Sequence, residues 1–198
     1  MTEKEIRKFY IKLSVLFYVG WLIAFISEGM YAVTLPTTDL TISIDRIIPV
    51  IPQFAWIYVL CYIYPMFFIL MSNDWHSVNI TLLSIALASL IAFVGHIGLP
   101  VAFERPVLDN TLSGKFLFFI YDNDFKPGAQ NFPSLHVAIS IIIYFGYRNQ
   151  KNNKKLENLF LLITILICAS TILIKQHLFL DFVGGIALAL IVWYYVKR

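Results

Sequence analysis

Long apolar stretches separated by short polar segments dominate this chain. Six of them approach the ~20 residues that an α-helix needs to cross the hydrocarbon core of a bilayer. They lie near residues 10–33, 53–72, 78–101, 132–147, 157–175 and 178–196. The fourth is the shortest, and we expect it to extend at one end. The pattern predicts an all-α fold, a polytopic membrane helical bundle of about six transmembrane helices, with residues 1–198 forming a single domain.

The positions of the basic residues predict the orientation of the bundle. Lys and Arg collect on the cytoplasmic side of membrane proteins, and a six-span bundle places ten of the fifteen on one face. These ten are Lys4, Arg7, Lys8, Lys12, Arg148, Lys151, Lys154, Lys155, Lys197 and Arg198. We therefore expect both termini in the cytoplasm and the loops at 34–52 and 102–131 outside, in a multi-pass protein of the cell membrane.

Composition agrees with a lipid environment. Hydrophobic residues make up 59% of the chain and charged residues 14%, and the mean hydropathy is +0.76. Soluble domains have about 45–50% apolar and about 25% charged residues, so the lipid bilayer is the expected surrounding. Without a basic stripe among exposed aromatics, no nucleic acid is expected as a partner. Cys61 and Cys168 lie within apolar runs and are interpreted as small buried hydrophobes.

Three polar clusters fall at the outward ends of the predicted spans. They read ERP at residues 104–106, NFPSLH at 131–136 and KQHLFLD at 175–181. The six-span topology brings all three to one membrane depth, although they are far apart in the sequence. The last cluster also lies where the fifth and sixth spans meet, so the chain must reverse tightly there. We expect the motif region, about 100–185, to contain the functional site.

The third cluster pairs a histidine with a carboxylate. His177 and Asp181 are four residues apart, which places them on one face of a regular helix. A carboxylate in an apolar run is costly and needs a partner, and one that accepts from a ring nitrogen leaves the other nitrogen free as a nucleophile. The alternative is a polar bond that only holds the helices together.

The second cluster has the features of an anion-binding helix start. Pro133 suits the first helical turn, and the N–H groups of Ser134, Leu135 and His136 then have no helical acceptor. Such N–H groups bind phosphate oxygens well, and the His136 ring is placed to protonate a leaving alkoxide. The alternative is an ordinary helix start with an interfacial histidine.

Arg105 in the first cluster completes a set of groups for phosphoryl transfer. Its planar guanidinium matches a phosphate group in a bidentate manner, whereas an arginine that only reaches lipid headgroups is the alternative. The three clusters together supply a nucleophile, an acid and an anion site. No metal site or cofactor is expected, because the sequence has neither a nucleotide-binding glycine loop nor a carboxylate cage.

These motifs resemble those of a known family. The chain contains RP, PSLH and the pattern S-x6-H-x3-D from Ser170 to Asp181. These resemble the three signature motifs of the type 2 phosphatidic acid phosphatase and vanadium haloperoxidase superfamily. The residues around them look closer to the inositolphosphotransferase and sphingomyelin-synthase-like branch than to the soluble acid phosphatases. The resemblance implies a metal-independent reaction through a phosphohistidine. It implies that His177 is the nucleophile, Asp181 its orienting partner, His136 the general acid, and Arg105 with Ser134 and Leu135 the phosphate-binding group.

The chain lacks two cationic residues that the family motifs usually have. Gly98 stands where the first motif usually has lysine, and Thr171 stands where the third usually has arginine. Lys175 is the expected replacement and must then lie in the turn. Otherwise the role passes to Lys115 or Lys126.

Three functions fit these residues. A lipid phosphate phosphatase uses water to release the phosphoryl group, and a phosphotransferase passes it to an alcohol. Modest outward loops leave little room for an acceptor pocket, which favours the phosphatase acting on a phosphorylated lipid. A transporter with a proton relay at His177 and Asp181 leaves the other motifs unexplained. For either enzyme, we expect His136 and His177 to face each other across a gap of about one phosphate, and His96 to serve helix packing.

Overall fold

A computed structural model describes residues 2–125, 128–151 and 153–198, and its regular elements are helices. This confirms the predicted all-α helical bundle. The helices are α1 (Glu3–Ala32), α2 (Ser43–Ile47), α3 (Ala55–Tyr58), α4 (Leu60–Met71), α5 (Trp75–Gly98), α6 (Leu112–Asp122), α7 (Leu135–Asn149), α8 (Lys154–Leu173) and α9 (Phe179–Val196). A 3-10 turn at Pro52–Phe54 precedes α3, and with α4 these elements form one apolar stretch over Pro52–Met71.

Five of these stretches are long and apolar enough to cross a membrane, counting only the described residues. They are α1, the stretch Pro52–Met71, α5, α8 and α9. Helix α7 has 15 residues and is about 22 Å long, which is less than the ~30 Å hydrocarbon core. The fourth span ends two residues later than predicted, at Asn149, but gains no length, because Ser134 has an extended backbone and caps the helix at Leu135.

Helix α7 lies at the centre of the bundle, against α5, α8 and α9. Its side chains at Ala138, Ile142 and Ile143 are fully buried. Tyr147 stacks on Phe160 of α8 with the ring centroids 4.1 Å apart. A short helix surrounded in this way carries its first turn into the interior of the bundle.

Helix α1 begins earlier than predicted and packs loosely. Thr2 and Glu5 form a capping box, in which the Thr2 N–H donates to the Glu5 carboxylate at 2.7 Å, so the helix starts at Glu3 rather than near residue 10. Its buried residues are Ser14, Glu28, Gly29 and Ala32. The basic residues of the N-terminus therefore lie on the helix, and most of its surface faces away from the bundle.

The loops at 34–52 and 102–131 contain short helices that the apolar pattern did not predict. Helix α6 starts after Thr111, whose hydroxyl accepts from the Gly114 N–H at 3.1 Å. It packs against the 3-10 turn and α3, where Phe116 stacks on Trp56 with the centroids 4.0 Å apart. The loop at 102–131 therefore contains a helix that packs against the 3-10 turn and α3.

Helix α9 approaches the start of α7 closely at two glycines. A Cβ atom on Gly185 would lie 2.5 Å from the Ser134 carbonyl oxygen, and one on Gly184 would lie 2.8 Å from the Phe132 ring. Real Cβ atoms do not tolerate such distances from a backbone oxygen, so the two helices need glycine at position 185.

We predict that Gly185→Ala destabilises the protein, because the new methyl group pushes α9 away from α7. Overpacking of this kind costs about 1–3 kcal/mol. Gly20→Ala is the matched control, since a Cβ atom on Gly20 meets nothing within 4 Å. Thermal unfolding in detergent, followed by circular dichroism, should show a lower Tm for Gly185→Ala and an unchanged or higher Tm for Gly20→Ala. Equal Tm values for both variants would contradict the close contact.

Candidate active site

The predicted tight reversal lies between α8 and α9. Lys175 has a left-handed backbone with φ of 49°. The N–H groups of Gln176 and His177 both donate to the Thr171 carbonyl oxygen, each at 3.0 Å. These bonds close the end of α8 and fix the backbone on which the His177 ring is carried. Thr171, which stands at a departure from the family pattern, thus holds the turn through its carbonyl group.

His177 and Asp181 meet in a way that differs from the expected helical pairing. His177 precedes α9, so the two residues do not share a helix face as predicted. Asp181 instead lies in the first turn, where its Oδ2 accepts from the Leu178 N–H at 2.8 Å. The same oxygen lies 3.6 Å from His177 Nδ1, with the side chains 0% and 4% exposed respectively. The carboxylate therefore faces Nδ1 and leaves His177 Nε2 pointing to the other side of the ring.

His136 faces His177 from the first turn of α7. Its Nδ1 lies 3.2 Å from His177 Nε2, so the structure brings together the two predicted histidines from different helices. The expected gap of about one phosphate is absent between these atoms. A phosphorus about 3–3.5 Å from one nitrogen, with its leaving oxygen in hydrogen-bond reach of the other, needs the nitrogens about 6–7 Å apart. The rings must therefore separate by about 3 Å to hold a phosphoryl group.

Tyr58 is a residue of this site that the sequence did not indicate. Its side chain is buried, and its hydroxyl lies 2.8 Å from His136 Nε2. If the hydroxyl donates, the His136 proton lies on Nδ1 and points at His177 Nε2, a tautomer that we assign from the hydrogen-bond network. Nothing in the local sequence AWIYVL separates Tyr58 from the other ten tyrosines. Only the fold identifies it.

The start of α7 differs from the predicted row of free N–H groups. Pro133 precedes the cap and is not in the first helical turn. The Ser134 N–H was expected to be free, but it donates to the Asp181 carbonyl oxygen at 3.0 Å. The backbone that carries Ser134 is thereby tied directly to the first turn of α9.

The N–H groups of Leu135 and His136 still point out of the helix start. The first intrahelical bond of α7 runs from the Ala138 N–H to the Ser134 carbonyl oxygen at 3.1 Å. Leu135 and His136 precede Ala138 in the first turn, where a helix offers its N–H groups no acceptor. The anion site predicted there thus has two N–H groups rather than three.

His96 supports the start of α7 from behind, in agreement with the expected packing role. The side chain is fully buried, with Nε2 at 3.2 Å from the Pro133 carbonyl oxygen and Nδ1 at 3.4 Å from Glu28 Oε2. Gln130 donates from Nε2 to the same carboxylate oxygen. This network links α1, α5 and the segment before α7, and His96 contacts that segment at the Pro133 carbonyl oxygen.

Arg105 lies against the turn that carries His177. One guanidinium nitrogen donates to the Lys175 carbonyl oxygen, and the other lies 3.1 Å from Asp124 Oδ2. Gln176 also donates to Asp124 Oδ2 at 2.6 Å. The Asp124 carboxylate thus occupies donors that match a phosphate group, so an incoming phosphate competes with it for Arg105.

The three lysines proposed as replacement cations lie in different places. Lys175 is in the turn, as expected, but its ammonium donates to the Asp45 carbonyl oxygen on α2. Burial lowers the pKa of this ammonium, and the Asp45 carboxylate opposes the shift. Lys115 on α6 lines a cavity together with Arg105. Lys126 lies outside the described residues.

The cavity beside Arg105 and Lys115 is larger than expected from the modest length of the loops. It has a volume of about 770 Å³, within the usual range of small-molecule sites of about 300–1,000 Å³. Its polar lining includes Arg105, Lys115, Asp109 and Asp122. The expectation that the loops leave little room for an acceptor was therefore wrong.

A metal site was not predicted, and the geometry offers no candidate among the described residues. Within residues 2–125, 128–151 and 153–198, no three His, Cys, Asp or Glu side chains group so as to hold a metal ion. The ionisable groups at the site are instead the two facing histidines, Asp181 behind His177, and Arg105 at the turn.

Comparison with known families gives one match. A family model described as the PAP2 superfamily matches residues 43–195. The matched range contains all the predicted site residues and excludes all of α1. No curated protein and no solved structure matches the chain.

We predict that Tyr58→Phe lowers kcat about fivefold for a phosphate ester and leaves KM unchanged. The lost hydrogen bond contributes about 1 kcal/mol, and Tyr58 orients His136 without touching the substrate. Tyr64→Phe is the control, because it removes a buried hydroxyl bonded to the Phe160 carbonyl oxygen at 2.9 Å, away from the histidines. Steady-state kinetics should show the kcat change in Tyr58→Phe alone. A similar loss in both variants points to a general packing defect.

Proposed function

The chain belongs to the PAP2 superfamily, and on that premise we propose that it is a lipid phosphate phosphatase acting through a phosphohistidine. Family membership makes it a phosphatase-type membrane protein. The observation that carries the finer proposal is the facing pair, with His136 Nδ1 at 3.2 Å from His177 Nε2. The far nitrogen of the His177 ring faces a carboxylate and the far nitrogen of the His136 ring bonds a hydroxyl, which suits the two rings to different roles.

In the first proposed step, His177 attacks and His136 gives up a proton. The Nε2 lone pair of His177 forms a bond to phosphorus while the bond from phosphorus to the lipid oxygen breaks. His136 enters this step protonated on both ring nitrogens, and its Nδ1 proton passes to that departing oxygen, which leaves the ring neutral. Asp181 stabilises the positive charge that develops on the His177 ring, because its Oδ2 lies 3.6 Å from Nδ1 in a buried site where charges interact strongly.

In the second proposed step, water replaces the lipid alcohol. A water molecule gives a proton to His136 Nδ1, and its oxygen forms a bond to phosphorus as the bond to His177 Nε2 breaks. Inorganic phosphate leaves, and both rings return to their starting protonation. His136 thus acts as a general acid in the first step and as a general base in the second, because the second step moves a proton in the opposite direction.

Charge on the phosphate oxygens is met by Arg105 and by backbone N–H groups. Arg105 lies on the turn that carries His177, and the Leu135 and His136 N–H groups lie at the positive end of α7. The phosphate displaces Asp124 from Arg105 in this proposal. The positive-inside distribution of Lys and Arg supports cytoplasmic termini and a site on the non-cytoplasmic side of a cell membrane.

A phosphotransferase of the inositolphosphotransferase or sphingomyelin-synthase-like type is the second candidate. The observation that favours it is the cavity of about 770 Å³ beside Arg105. An alcohol bound there would replace water in the second step and take the phosphoryl group. The first step and its residues are the same in both reactions, so only the acceptor separates the two candidates.

We predict that the purified protein in detergent releases phosphate from a lipid phosphate in excess chelator. The proposed phosphate-binding groups are an arginine and backbone N–H groups, and none of them needs a metal. Vanadate should inhibit, because it adopts the five-coordinate geometry of the transferring phosphoryl group. A panel of lipid phosphates, each assayed with and without candidate alcohols, measures free phosphate and phosphorylated alcohol.

The panel separates the two candidate reactions. Free phosphate unaffected by alcohols supports the phosphatase, whereas phosphorylated alcohol formed at the expense of free phosphate supports the transferase. Loss of all turnover in chelator, restored by a divalent cation, would falsify the metal-independent mechanism.

We predict that the two histidine variants respond differently to the leaving group. His177→Ala should abolish turnover of every substrate, because it removes the attacking atom. His136→Ala should lose about 10²–10⁴-fold on a lipid phosphate, the usual effect of a general acid. It should lose much less on nitrophenyl phosphate, whose leaving group needs no proton. The ratio of kcat values on the two substrates measures the difference.

His76→Ala is the matched control for removal of a histidine. His76 is exposed at the start of α5, at the opposite end of that helix from the site, and its loss should leave both substrates unaffected. If His136→Ala and His177→Ala lose activity equally on both substrates while remaining folded, the separate roles are not supported.

A further inference from the structure

A second cavity reaches the site from the membrane side. It is a cleft of about 220 Å³ between α1, α4, α5 and α7. Its walls are mostly apolar and aromatic, and its one lining residue from the catalytic set is His136. Neither His177 nor Arg105 lines it. The cavity of about 770 Å³ differs in this respect, because it is lined by Arg105 and by neither histidine.

We infer that this cleft holds the hydrocarbon chain of the substrate lipid, an inference that rests on the proposed phosphatase reaction. In an in-line displacement the attacking nitrogen and the leaving oxygen lie on opposite sides of phosphorus. His177 attacks, so the leaving oxygen lies on the side of His136, which protonates it. The lipid is attached to that oxygen and must continue past His136, where the cleft begins.

The length of the cleft matches one leaflet of a bilayer. Gln130 donates to the Phe25 carbonyl oxygen at 2.9 Å, so Phe25 lies level with the segment that leads into α7. The cleft lining on α1 extends from Phe25 to Ser14, a rise of about 16 Å along the helix. That is about half of the ~30 Å hydrocarbon core, the depth that one lipid chain occupies.

The cleft is open to the bilayer along one seam. Leu22 of α1 and Tyr62 and Ile63 of α4 line it and are 38%, 52% and 61% exposed. Helix α1 buries few of its residues against the bundle, which leaves this seam unfilled. A lipid in the surrounding leaflet can therefore place its chain in the cleft by lateral movement and keep its headgroup at the level of the histidines.

The size and lining of the cleft favour one slender chain. Pockets that enclose a whole small molecule usually have about 300–1,000 Å³, and this cleft is smaller. Its far end contains Ser14, whose buried hydroxyl has no hydrogen-bond partner within the described part of the chain. A void that ends at a small side chain has room for the tip of a chain, whereas a large side chain there would shorten it.

We test the cleft by shortening it with Ser14→Phe. The control is Val15→Phe, which adds an aromatic ring at the next position, where the side chain is exposed and does not line the cleft. The substrates are alkyl phosphates with single chains of eight and sixteen carbons, and nitrophenyl phosphate. At about 1.2 Å per bond, the eight-carbon chain ends near 10 Å, short of Ser14, and the sixteen-carbon chain passes it.

The expected result is a change in chain-length preference. Each methylene kept out of the cleft lowers affinity about fourfold, so the loss of two or more should raise KM for the sixteen-carbon phosphate at least tenfold in Ser14→Phe. KM for the eight-carbon phosphate and turnover of nitrophenyl phosphate should stay as in the wild type. Val15→Phe should behave as the wild type on all three. An unchanged sixteen-carbon KM in a Ser14→Phe protein that still hydrolyses nitrophenyl phosphate overturns the inference.

A crosslinking measurement on the wild-type protein covers the case in which Ser14→Phe does not fold. A sixteen-carbon alkyl phosphate with a photoreactive diazirine at the chain end should label α1 and α4 near the cleft. Labels on α8 or α9 instead would overturn the inference. If the wild type hydrolyses none of the phosphates, the proposed function itself fails, and that outcome is distinct from either result for the cleft.

Discussion

Buried backbone without helical hydrogen bonds is the constraint on which this structure depends. The segment before α7 and the turn before α9 lie inside a bundle of mostly apolar side chains. An unpaired N–H or C=O group is costly in such surroundings. The Ser134 N–H therefore donates to the Asp181 carbonyl oxygen at 3.0 Å, and the Pro133 carbonyl oxygen lies 3.2 Å from His96 Nε2. The bonds that satisfy the backbone also fasten the two motifs to each other.

The geometry of the site follows from that fastening. With Ser134 held to Asp181, the residues that flank them in sequence, His136 and His177, come within 3.2 Å between ring nitrogens. Gly185 permits this approach because a Cβ atom there would meet the Ser134 carbonyl oxygen. The two histidines thus face each other because a backbone hydrogen bond joins the start of α7 to the first turn of α9. A change that separates these helices also separates the rings.

The sequence predicted the helices well and the contacts around the histidines only in part. Hydropathy locates the long spans because length and apolar composition suffice for that purpose. It placed the start of α7 three residues too early, at residue 132, because the extended backbone at Ser134 is held by a bond to Asp181 of another helix. Tyr58 was not predicted because an apolar run has the same sequence features whether its tyrosine packs against neighbours or hydrogen-bonds to a histidine ring. The His177 and Asp181 pair was predicted on the wrong geometry, because the helix begins two residues after His177.

The Asp181 carboxylate shows why a partly satisfied group suits this site. Its Oδ2 accepts from the Leu178 N–H at 2.8 Å and lies 3.6 Å from His177 Nδ1, whereas Oδ1 is buried without a partner in the described residues. Leaving a carboxylate oxygen unpaired costs free energy in the resting protein. In the proposed reaction the His177 ring becomes positive as it bonds to phosphorus, and its Nδ1, which faces Oδ2 without a hydrogen bond in the described residues, then interacts more strongly with the carboxylate. The interaction is then stronger in the transition state than in the ground state, which is the condition for accelerating the reaction.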